Sequence, residues 1–64
     1  MSELHPARLS SAQTTLDDLI SRITSVADAL HEEQQVALAV DLYEVERSLR
    51  AAARRLETVR RRLG

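Results

Sequence analysis

The sequence has no cysteine, no tryptophan and no phenylalanine, and only one tyrosine, one proline and one glycine. Each absence closes a class of function. Without cysteine there is no disulfide framework, no thiolate nucleophile and no cysteine-based metal centre. Tyr43 is the only aromatic residue, so the stacking platform of a single-strand nucleic-acid binder is missing. With Gly64 as the only glycine, neither a phosphate-cradling loop nor a nucleophile elbow can be written. Lysine is absent too: all nine basic residues are arginine, as a GC-rich coding sequence, bacterial for example, produces. No apolar run approaches the length of a membrane span or a secretory signal core, so no membrane partner and a cytoplasmic location are expected.

What remains is aliphatic residues at helical spacing. Leu9, Ala12, Leu16, Leu19, Ile23, Val26 and Leu30 alternate steps of three and four, the a/d pattern of a coiled-coil seam. Leu38, Leu42, Val45, Leu49, Ala52, Leu56, Val59 and Leu63 repeat the pattern in a second register. The break between the two registers falls in His31-Glu-Glu-Gln-Gln35. Folding the chain at residue 34 places Leu30 opposite Leu38, Val26 opposite Leu42 and Leu19 opposite Leu49, and so on down to Leu9 opposite Val59. Both seam alanines then meet a leucine, which keeps the layers even in volume.

The expectation is therefore an all-α fold: one domain over residues 1–64, an antiparallel two-helix hairpin of coiled-coil type. Its helices should run from about 9 to 31 and from about 36 to 63, with the bend at about 31–35. Pro6 in a first turn, or a Ser10–Gln13 capping box, would start the first helix. The rival is one continuous helix of roughly 55 residues paired with a second chain, since no glycine or proline marks the bend and the run between the registers is compatible with helix. Sixty-four residues in a hairpin have a single seam and almost no interior. Dimerisation into a four-helix bundle is expected, with itself and one larger protein as partners.

Two features are candidate contact surfaces. Val36, Val40 and Tyr43 are spaced i, i+4, i+7 at heptad positions that should face solvent. Ile20, Ala27, Ala39 and Ala53 widen the apolar surface on one flank of the expected seam. A lined-up apolar patch outside a seam reads as a docking face or, if the bend is set differently, as part of the seam itself. Val40→Asp would then disrupt association.

The second feature is charge. The net charge of −1 conceals a basic C-terminal stretch, with seven arginines and one acid over residues 47–64. Arg47, Arg50, Arg54 and Arg61 form a ridge on the outer face. It could meet phosphates of a nucleic acid, an acidic protein or an anionic membrane surface, or simply be a solvated helix end favoured by the dipole and by i,i+4 pairs with Glu46 and Glu57.

Nothing points to catalysis. His31 beside Glu32 and Glu33 lacks a second histidine at ligand spacing. Glu44 and Glu46 point to different helix faces. No cofactor, no metal and no enzymatic activity are expected. The function expected is a small adaptor or regulator that docks by a helix face, with anionic-ligand binding or pure self-assembly as alternatives.

Overall fold

In a computed structural model, residues 4–64 are described; Met1, Ser2 and Glu3 lie outside them. Two α-helices, α1 (Leu4–Glu32) and α2 (Val36–Leu63), pack against each other as a hairpin. The Cα atoms span 50 × 15 × 11 Å, the dimensions of two long helices side by side.

The bend is shorter than expected: Glu33, Gln34 and Gln35 alone connect the helices. It closes without glycine. Gln34 takes the left-handed conformation, at φ 66°. The Gln34 amide then donates to the His31 carbonyl at 3.1 Å, and the Gln35 amide to the Leu30 carbonyl at 2.8 Å. This is a Schellman motif, which satisfies the last carbonyls of α1. The Gln35 carbonyl accepts the Ala39 amide at 3.0 Å and so opens α2, with no side-chain cap.

At the other end, α1 already includes Leu4 and His5, so the start expected near residue 9 moves forward. Pro6 sits in the first turn, where its missing N–H is not needed. The Ser10–Gln13 capping box does not form, because both residues lie inside the helix. The Ser10 carbonyl accepts the Thr14 hydroxyl at 3.3 Å, and the Gln13 amide crosses to the Ala53 carbonyl at 3.2 Å.

The register set by folding at residue 34 holds to within three residues. Cross-helix hydrogen bonds join Gln13 to Ala53, Thr24 to Glu46 and Tyr43 to Asp28. The seam, however, is turned. Leu9, Leu16, Ile23 and Leu30 of α1 and Leu42, Leu49 and Leu56 of α2 are half-buried, as a seam requires. Except for Leu63, which is exposed at the end of α2, the other expected seam positions give way to the residue that follows each of them. Gln13 replaces Ala12, Ile20 replaces Leu19 and Ala27 replaces Val26; Ala39, Glu46, Ala53 and Arg60 replace Leu38, Val45, Ala52 and Val59.

The physical reason is closeness. Ala27 and Ala39 retain no exposed surface and are joined in the core by Ile20 and Ala53. Small side chains let the backbones approach, and the longer polar chains reach across. One heptad step is a rotation of about 50°. It has the same sense in sequence on both helices. Because the helices are antiparallel, it swings both aliphatic stripes onto the same face of the hairpin.

Candidate interaction surface

The two broad faces of the hairpin differ in kind. One is polar and internally bonded. Glu46 of α2, whose side chain is only 17% exposed, receives Arg50 at 2.9 Å. It also lies against the Thr24 hydroxyl, which is within reach of both this carboxylate and the Ile20 carbonyl. A hydroxyl has one proton, and the charged acceptor is the stronger claimant. The Thr24 hydrogen bond, and then Arg50, hold the Glu46 carboxyl below its usual range. Nearer the bend the Tyr43 hydroxyl donates to the Asp28 carboxylate, and that bond pushes the phenol above its ordinary value. Two shallow open grooves run along this face, bordered by Asp17, Ser21, Thr24 and Arg50 and by Gln13, Arg54 and Glu57.

The opposite face is aliphatic. Of the nine large apolar residues exposed among the described residues, six lie on it: Leu19, Val26, Leu38, Val45, Val59 and Leu63. Each is between 43 and 54% exposed. Between the two rows lie the outer edges of the half-buried leucines, so the surface is continuous across both helices. The total accessible surface is 5019 Å². A compact monomer of 7.2 kDa would have about 4100 Å², so about 900 Å² is in excess.

The residues singled out from the sequence divide between these regions. Ile20, Ala27 and Ala39 are buried between α1 and α2, so they form the hairpin's own seam rather than an open flank. Tyr43 is half-buried and tied to Asp28. Val36 and Val40 stay exposed, at the bend end of α2 and on the polar side. In the arginine ridge, Arg47, Arg50 and Arg61 pair with Glu44, Glu46 and Glu57 of their own helix at 3.3, 2.9 and 2.7 Å. The Arg61 hydrogen bond lowers the Glu57 pKa, and Glu57 raises that of Arg61. Arg54 makes no ion pair among the described residues. His31 lies in the last turn of α1, and no group of three or more potential metal ligands gathers among the described residues. No described helix is long and apolar enough to cross a membrane.

The surface that sequence reasoning missed is thus the one it had assigned to the seam. Its signal was present as the a/d rows themselves. What the pattern does not say is which neighbour a row of aliphatics faces. Compared with known proteins, the chain matches no family model, no curated protein and no solved structure.

Proposed function

We propose that the chain is a small non-catalytic protein–protein interaction module, an adaptor or regulator, that acts by docking a helix face on other chains. The observation that carries this reading is the continuous aliphatic face. Apolar surface of this extent, rimmed by charge, is characteristic of a contact surface rather than of a solvated one. Among the described residues no third element covers it. Docking would use both aliphatic rows as anchors, with the exposed charges at their edges steering approach and setting orientation.

The test is affinity capture with the tagged chain, comparing the natural sequence with Leu19→Asp/Val45→Asp on the aliphatic face and Val40→Asp on the polar side. A stoichiometric protein retained by the natural chain and by Val40→Asp, but lost with the double substitution, is the expected outcome. Retention that ignores Leu19 and Val45 but collapses on nuclease treatment or added salt would transfer the function to the arginines.

A further inference from the structure

We propose that the aliphatic face is covered by a second copy of this chain, in a four-helix bundle whose two hairpins point their bends in opposite directions. This rests on the reading of the chain as an interaction module and names one partner and its orientation. Three observations lead to it.

The first is angular. In a four-helix bundle each helix aims its apolar stripe between its two neighbours, about 45° from either. Here each helix carries its large aliphatics one heptad step, about 50°, away from the seam it shares with its hairpin mate. Both stripes turn to the same side. A hairpin that worked alone would aim both of its aliphatic rows at its own seam, whereas this one keeps one row of each helix there with Ile20, Ala27, Ala39 and Ala53 and leaves the other, with Leu19, Val26, Leu38 and Val45, about half exposed.

The second is area. The elongated hairpin exposes, over its whole surface, about 900 Å² more than a compact monomer of its mass, so covering one face with the ~800 Å² that each partner of a standard interface buries would bring it to compact proportions.

The third is charge and shape along the axis. The bend half, residues 19–49, has six acids and two arginines; the open half has seven arginines and four acids. Opposed bends place unlike ends together, and aligned bends would stack the arginines. The match extends to individual residues. Asp41, Arg55 and Arg62 lie in one row beside the aliphatic stripe of α2, and none makes an ion pair among the described residues. At 1.5 Å per residue, Asp41 is about 10 Å from the bend, and Arg55 and Arg62 are about 32 and 42 Å from it. With the bends at opposite ends, α2 runs beside the partner's α2, and Asp41 falls between the partner's Arg55 and the partner's Arg62. Aligned bends would instead bring α2 beside the partner's α1 and set Arg62 near the partner's Arg8. Volume follows the same order. Val26 and Val45 occupy the bend half of the stripe and Ala12 and Ala52 the open half, so opposed bends set large against small.

The experiment is sedimentation equilibrium on the full chain, with disulfide trapping in a protein that has no cysteine of its own. The natural chain should sediment at twice its 7.2 kDa, and Leu19→Asp/Val45→Asp should weaken self-association by at least about a hundredfold. That variant loses fold as well as partner if the hairpin needs the dimer, so Asp41→Arg, which leaves the aliphatic face intact, supplies a second reading. It should weaken the dimer at low salt, and Arg55→Asp/Arg62→Asp in the same chain should restore it. Leu19 lies near the middle of the overlap, where opposed bends bring it beside the partner's Leu19. Leu19→Cys should therefore couple to itself on mild oxidation. Val26→Cys should couple to Ala12→Cys in a mixture but not to itself.

A chain that stays monomeric at millimolar concentration overturns the proposal, as does a larger assembly. The interaction-module reading still stands if capture of another protein depends on Leu19 and Val45. A dimer in which Val26→Cys couples to α2 positions of its partner, and Leu19→Cys does not couple to itself, overturns the orientation.

Discussion

On one side of the hairpin the helices are joined through Gln13, Thr24, Glu46, Arg50, Tyr43 and Asp28; on the other they line up Leu19, Val26, Leu38 and Val45, each about half exposed. The polar side closes the pair with directional bonds of fixed reach. The aliphatic side leaves undirected surface that any complementary apolar face can cover. Adjacent residues show the difference most sharply: Ala27 has no exposed surface, and Val26, its neighbour, is more than half exposed. In so thin a structure the choice of seam depends less on which side chains are most apolar than on which allow the closest approach. Alanine wins that contest, and the large residues are displaced to where a further layer would sit.

The largest expected effect comes from removing that closeness. Ala27→Leu inserts three heavy atoms where the helices meet and should destabilise the hairpin by about 1–3 kcal/mol in urea unfolding. Ala51→Leu, on the outer side of α2, should change stability by less than about 0.5 kcal/mol. Equal effects at the two positions would mean that the seam is not where alanine sets it. Next, the seam contains polar atoms that it does not fully satisfy: the Gln13 Oε1 and the Arg60 Nε are buried without partners. Gln13→Met removes the first and keeps the length of the side chain. It should stabilise the fold by about 1 kcal/mol, read as a higher denaturation midpoint at unchanged slope. A loss of stability would show that the Gln13–Ala53 bond outweighs the orphaned oxygen.

The smallest effect is one of pH. Because the fold lowers the Glu46 pKa from its usual 4.5, the unfolded chain takes up this proton first as acid is added. The stabilisation is complete above pH 4.5 and is lost as pH falls through the lower folded-state value. Glu46→Gln should lower stability slightly at neutral pH, where the ionised carboxylate holds Thr24 and Arg50, and flatten the acid limb of a stability–pH curve in that window.

Most of the fold was legible in the heptads. Two registers with a break at residues 31–35 imply two helices and a fold-back point, and both helices and a bend at residues 33–35 are present. The approximate register was also readable, because Thr24 with Glu46 and Gln13 with Ala53 fall within two residues of it, but the expected layers themselves do not form, since one member of each is turned out of the seam. What did not show was the rotation of the seam. The periodicity of Leu, Ile and Val locates a stripe but not its neighbour, and most of the residues that complete the actual contact beside the half-buried leucines are alanines and polar chains, which carry little signal in such a pattern. The closure of the bend without glycine was equally hidden, since a glutamine in a helix-compatible run gives no sign that it will turn left-handed. Of the aliphatic face, the side chains were legible as apolar rows but were placed in the hairpin's own seam, where the structure leaves them about half exposed.

Gln34 has one more consequence. Between Leu4 and Leu63 only the short Glu33–Gln35 run departs from helical backbone, and Gln34 holds its φ of 66° without the freedom of glycine, at a cost of about 1 kcal/mol. Restoring helical torsions through these few residues would turn the hairpin into a straight rod about 90 Å long. The turn itself favours the rod; the seam favours the fold. Reach is therefore set by what occupies the seam: any helix that displaces α2 from α1 releases a shaft almost twice as long, with its aliphatic rows exposed along its length.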